Sequence, residues 1–239
     1  MASWDDVPHL TEDAKASLFA SIPAYQRDAR TKGIPLLGSG AIFQVSADEY
    51  TVPDMEIPAH WPRCYGMDIG WRRTAVCWLA LNRDSDTVYV TAEHYRGEAE
   101  PVVHSEAIKA RGKWIRGAID PASRGRNQVD GRNLLSLYRD LGLDLVEADN
   151  AVEAGIYNIV SRLTSGRLKV FKSCPNLLQE MRLYRRDEKG RVVKDNDHAV
   201  DALRYAVMEM HNILGTAPQP PKVKTVYMTP GAHSTGWMS

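Results

Sequence analysis

Hydrophobic and polar positions change rhythm several times along the chain, and each change predicts an element. Between residues 63 and 95, three apolar runs, "RCYGMDIG", "TAVCWLALN" and "TVYVTAEHY", are split by the short polar links "WRR" and "RDSD". Runs of this length with turn-sized links predict an antiparallel meander. Downstream the pattern alternates. Helical spacing over about 101–111 precedes the strand "WIRGAID", and a helix over about 130–141 precedes the strand "DLVEAD". "VEAGIYNIVSRLTSG" predicts a helix closed by Gly166, followed by the strand "LKVF", the helix "NLLQEMRLY" and a charged hairpin "RRDEKGRVVK". The last periodic element lies in "KDNDHAVDALRYAVMEM", where Val200, Leu203, Val207 and Met210 recur at spacings of three and four. Ala199, Ala202 and Ala206 keep the neighbouring surface slim. Three antiparallel strands followed by alternating helices and strands predict an α/β protein with a mixed central sheet and helices on its faces.

The ends differ from this core. "EDAKASLFASI" predicts a helix closed by Pro23, a second short helical piece ends at Gly33 and Pro35, and "LLGSGAIFQV" predicts a turn into a strand. Three prolines in "TVPDMEIPAHWP" read as a linker, which places a boundary near residues 52–62. The expected division is an extension over 1–60, a domain over 61–214 and an aperiodic tail over 215–239.

Composition narrows the class. With 30 basic and 30 acidic side chains in 239 residues, any nucleic-acid surface has to be local. Cys64, Cys77 and Cys174 lack the CxxC spacing of a zinc knuckle, and their odd number argues against a disulfide framework. No apolar run reaches the roughly 20 residues of a membrane span, which fits a soluble protein of a reducing compartment.

Three carboxylates stand out. Asp68 ends the first meander strand, and Gly66 and Gly70 beside it allow close approach of another chain or a ligand. Asp120 ends the fourth strand, where Pro121 breaks the ladder. Each also suits an ordinary turn-capping aspartate. If their strands are neighbours, both acids meet at the carboxyl edge of the sheet, where ligands of open α/β sheets bind. Asp201 is harder to explain, because it sits past the first turn of a helix among Val200, Ala202 and Leu203. Asp195 and Asp197 suit the helix N-cap, and His198 shares a face with Asp201. Arg204 offers Asp201 an ion pair. A divalent cation shared with Asp68 and Asp120 offers more, since Mg²⁺ and Mn²⁺ prefer oxygen ligands and clustered carboxylates repel until a cation binds. On that reading Asp201→Asn is at least as stable as the parent.

The D-x-G strand end, the strand-ending "DP" and the terminal "DHAVDALRY" helix resemble the nuclease domain of the large terminase subunit of tailed bacteriophages, a member of the RNase H-like (retroviral integrase) superfamily. The resemblance covers about residues 60–214, and the segment before it resembles the stretch joining that family's ATPase to its nuclease. It implies a mixed central sheet with flanking helices and an endonuclease that cuts double-stranded DNA during viral genome packaging. It also implies two Mg²⁺ or Mn²⁺ ions held by Asp68, Asp120 and Asp201, with His198 as an auxiliary. Partners implied are an ATPase domain of the same protein, the small terminase subunit and the portal, in the cytoplasm of an infected bacterial host. No G-x-x-x-x-G-K-[ST] phosphate loop occurs, so ATP-driven translocation lies outside this stretch of chain. A RuvC-like junction resolvase and a non-catalytic DNA-docking module remain open alternatives.

Arg162 to Lys194 holds ten Lys or Arg against three acids. The candidate DNA contacts there are Arg185, Arg186, Lys189, Arg191 and Lys194, joined by Arg124 and Arg126 on the loop after Asp120.

Overall fold

The computed structural model describes residues 40–124 and 133–218, with isolated positions between 11 and 19. Seven strands form one sheet: β1 (Thr51–Val52), β2 (Arg63–Asp68), β3 (Thr74–Asn82), β4 (Thr87–Arg96), β5 (Gly117–Ile119), β6 (Leu145–Glu147) and β7 (Leu168–Phe171). Their order is β1-β7-β4-β3-β2-β5-β6. The meander β2-β3-β4 is antiparallel; every other pairing is parallel. This is the expected mixed sheet, with β3 buried on both faces because it lies at the centre.

A short helix that the sequence reading did not expect, α1 (Ala47–Tyr50), is followed by five in the predicted order: α2 (Pro101–Ala110), α3 (Leu134–Asp140), α4 (Val152–Thr164), α5 (Pro175–Leu183) and α6 (His198–Ile213). Alternation along the strands sorts the core into two layers. Tyr65, Met67, Val76 and Trp78 face Ile108 of α2 and Leu135 and Tyr138 of α3. Cys64, Ala75, Cys77 and Leu79 face the side covered by α4, α5 and α6.

Two expectations shift near the start. Ala41 makes only an isolated bridge to Arg185, so "AIFQV" is not a strand. The strand is Thr51–Val52, two residues that the prolines of the expected linker leave free to pair with β7. Phe43, Ala47 and Tyr50 join the larger core cluster, so this segment packs on the sheet. The helix expected over 12–22 falls mostly outside the described residues.

Contact between α6 and the sheet sets the position of everything polar around it. A Cβ on Gly66 would run into the Ala202 carbonyl and lie 2.7 Å from the Ala206 amide nitrogen. Glycine on the strand and alanines on the helix therefore let the two backbones touch. On the same face, Glu93 of β4 accepts the Asn176 and Leu177 amide protons at 3.0 and 2.9 Å, fastening the start of α5. Gly66→Ala is expected to push α6 off the sheet and to cost about 1–3 kcal/mol, the usual penalty of overpacking, read from urea unfolding midpoints.

Candidate active site

β2 and β5 are parallel neighbours, with Met67 opposite Ile119. The residue after each is an aspartate, so Asp68 and Asp120 emerge side by side at the carboxyl edge, and the Asp120 amide donates to Met67 O at 2.9 Å. Pro121 cannot donate to the ladder and starts a 3-10 turn over Pro121–Arg124. Asp120 Oδ1 accepts the Ala122 amide at 2.9 Å and the Tyr205 hydroxyl at 3.2 Å. Asp120 is thus both the turn cap and a member of the cluster.

Helix α6 brings the other two residues over the same edge. His198 Nδ1 lies 2.9 Å from Asp68 Oδ2. Asp68 is only 8% exposed, and burial lifts its pKa to about 6, opposed by His198 and reinforced by the negative charges of Asp201 and Asp120. The bond to Asp68 raises the imidazole's pKa in turn. Asp201 is met by two cations. Lys194 Nζ reaches its Oδ2 at 2.8 Å, and Arg204 Nε, fully buried, reaches its Oδ1 at 3.1 Å. Lys194 also lies 3.1 Å from Asp197 Oδ2. Repulsion at Asp201 is therefore already neutralised. Asp201→Asn takes the charge away from two cations, so the contacts with Lys194 and Arg204 favour a loss of stability where clustered carboxylates alone favour none.

The donor set suits a hard divalent cation, being carboxylate oxygens with one imidazole. Burial is the main cause of the raised Asp68 pKa, and the lesser part due to the charges of Asp201 and Asp120 is what such an ion would relieve. Among the described residues, however, no three His, Cys, Asp or Glu side chains are gathered closely enough to enclose an ion as they stand. Asp201 is committed to Lys194 and Arg204, so Lys194 must yield for Asp201 to join Asp68 and Asp120 around a metal.

The start of α6 departs from the sequence reading. Asp197 makes no side-chain cap bond. The cap comes from α5: Glu180 Oε2 accepts the Ala199 and Val200 amides at 2.6 and 3.0 Å, and its Oε1 accepts the Tyr95 hydroxyl at 2.6 Å. A carboxylate at this helix end also meets the positive end of the helix dipole. Glu180 and Tyr95 were missed because a cap supplied from another helix leaves no local signal. The one hint is a glutamate beside Leu177, Leu178 and Met181 on the buried face of "NLLQEMRLY".

The basic candidates separate. Arg186 forms a forked pair with Glu153 at 2.8 and 2.6 Å, and Arg191 pairs with Asp187 at 2.9 Å. Lys189 is exposed, and neither it nor Arg185 pairs with a carboxylate among the described residues. Among the candidates whose side chains are described, Lys194 alone reaches the acids. Arg126 lies outside the described residues.

Glu180 generates a pH prediction. Burial pushes its pKa up to about 7, against the pull of Tyr95, the two amides and His198. The folded chain then keeps a proton that the unfolded chain, with an ordinary value of 4.5, has released. The contribution of Glu180 to stability is greatest below that lower value and declines as pH rises towards 7. Glu180→Gln is expected to flatten this decline in urea unfolding across pH. Glu180→Ala is expected to cost about 1–3 kcal/mol through unpaired donors and to speed hydrogen exchange at Ala199 and Val200.

With this geometry established, comparison with known proteins is specific. A family model for the terminase RNase H-like domain matches residues 65–210, more than half the chain. The large terminase subunits of Enterobacteria phage LP7 and Salmonella phage P22 are each 33% identical over 211 residues, 85% of this chain. The chain spans less than half the length of either, 44% and 42%. The solved P22 large terminase nuclease domain superposes with a TM-score of 0.68 at 31% identity, over 75% of this chain and 96% of that one. The large terminase of the thermophilic bacteriophage D6E shares the fold at 20% identity, with a TM-score of 0.60 over 88% of this chain and 55% of its own. A family model matching more than half of the chain, with relatives 33% identical over 85% of it, is conclusive: the chain belongs to the RNase H-like domain family of phage large terminase subunits.

Proposed function

We propose that this chain is a divalent-metal-dependent endonuclease that cuts double-stranded DNA during viral genome packaging. The observation that carries the reading is the placement of Asp68 and Asp120 on adjacent parallel strand ends, with Asp201 and His198 packed over them by α6. Asp68, Asp120 and Asp201 would hold Mg²⁺ or Mn²⁺; an ion there supplies an activated water and stabilises charge on the phosphodiester. The nuclease domain of bacteriophage SPP1, which shares the fold at 16% identity and a TM-score of 0.51, was solved with bound Mn.

The chain's own side chains have distinct tasks. His198 orients the Asp68 carboxylate through its 2.9 Å contact. Tyr205 holds Asp120 from the helix side. Lys194, half-exposed at the mouth, is the candidate to move from Asp201 to a DNA phosphate. Arg185, Lys189 and the loop carrying Arg124 and Arg126 would steady the duplex through its backbone, with Arg186 and Arg191 first released from Glu153 and Asp187.

We also assign the sheet-bearing unit to residues 41–215, since Phe43 enters its core and Gly215 bridges Arg63. An ATPase domain of the full-length protein, the small terminase subunit and the portal are proposed partners, in the host cytoplasm. Among the described residues no helix is long and apolar enough to cross a membrane.

Plasmid cleavage with and without Mn²⁺ tests the reading. Asp68→Ala, Asp120→Ala and Asp201→Ala are each expected to lower the rate on the order of 10³-fold or more while DNA retention stays nearly intact. Cutting by Asp120→Ala at the parental rate refutes the site. Mn²⁺ is also expected to raise the melting temperature of the parent, by about 2.7 kcal/mol of stabilisation at a hundredfold excess over Kd, and to do much less for Asp201→Asn.

A further inference from the structure

The link between β2 and β3 holds a tryptophan in solvent by design of its backbone. Trp71 is 65% exposed, three residues after Asp68, and is followed by Arg72 and Arg73, both exposed. A mobile loop would explain such exposure without function, but this loop is braced. Thr74 Oγ1 donates to Gly70 O at 3.1 Å, and Trp71 O accepts the Glu98 amide at 2.8 Å. Gly97 presses against the Arg72 carbonyl so closely that a Cβ there would collide with it. Glu98 takes a left-handed φ of 51° to make its bond, a conformation disfavoured for a residue with a side chain. The Arg73 guanidinium lies over the Tyr95 ring, 4.9 Å from its centroid.

Charge at this corner is available for a ligand. Arg116, Arg167, Arg186 and Arg191 each face a carboxylate. Among the described residues Arg72 and Arg73 have no such partner, and Arg96, exposed at the end of β4, stands opposite Thr74 in the same register. Glu98 brings one carboxylate to set against these three arginines. A rigid, exposed aromatic among arginines that face no carboxylate among the described residues, at the edge from which Asp68 emerges, fits a nucleic-acid strand. Guanidinium groups take phosphates, and the indole takes the apolar sugar and base faces.

We propose that Trp71 and Arg72 form a DNA-binding element beside the acids, with Arg72 on a backbone phosphate and Trp71 packed on the deoxyribose of the same strand. This deepens the nuclease reading by naming where the cut strand is gripped. The grip is separate from the charged hairpin, where Arg186 and Arg191 are occupied by carboxylates.

Binding of a labelled 30-base-pair duplex of arbitrary sequence, followed by fluorescence anisotropy in EDTA across a salt series, tests it without any cutting. Arg72→Gln is expected to reduce the slope of log affinity against log salt by about 0.9, one phosphate contact. Trp71→Ala is expected to weaken binding about fivefold or more with the slope unchanged, and Trp71→Tyr to restore most of it. Both positions are exposed, so unchanged melting temperatures should accompany the losses. Parental affinity and slope in both variants overturn the assignment and give the loop to a protein partner. Failure of the parent to cut plasmid with Mn²⁺, alongside the expected binding losses, overturns the nuclease reading and supports this one.

Discussion

Close backbone contact between α6 and β2 over Gly66 is the constraint on which the site depends. The strand end fixes Asp68, and the helix can carry His198 and Asp201 to it only because nothing larger than hydrogen separates Gly66 from Ala202 and Ala206. Arg204, folded beneath Gly155 of α4, uses the same economy of space to reach Asp201 from the buried side. Two glycines on two different elements therefore govern the spacing of charges that neither touches.

The charges themselves are balanced in an instructive way. Asp68 leans on an imidazole, Asp120 on a backbone amide and a phenol, and Asp201 on an ammonium and a guanidinium. Removing water from carboxylates is expensive, and each has found a different compensation. The compensations differ in permanence. Arg204 is buried and fixed, whereas Lys194 is half-exposed on a chain segment with little secondary structure and can exchange one anion for another.

Much of this was legible in the sequence. The meander, the alternation after it and the last helix follow from periodicity, and the strand-ending "DP" locates Asp120 because proline acts locally. The adjacency of β2 and β5 follows from no local pattern and came from a conditional argument about the sheet edge. What escaped was tertiary by nature. Thr51–Val52 is too short to read as a strand, and its pairing with β7 is decided by core contacts of Phe43 and Tyr50. The hairpin's arginines were counted as free positive charge, because a sequence does not reveal that Glu153, about thirty residues earlier, will fold against Arg186. Trp71 was taken only as part of a turn.

Two glutamates on one face, Glu180 buried and Glu93 half-buried, have a consequence for autonomy. Glu93, from a strand, receives the first amides of α5; Glu180, from α5, receives those of α6. Each helix thus depends on an earlier element, a strand for α5 and a helix for α6, for the acceptor its own residues fail to provide, Asp197 included. A peptide spanning α6 alone would lack that acceptor, and its first turn would fray where His198 and Asp201 belong. The acids of this edge are consequently a property of the assembled sheet and cannot be transplanted with the helix that carries His198 and Asp201.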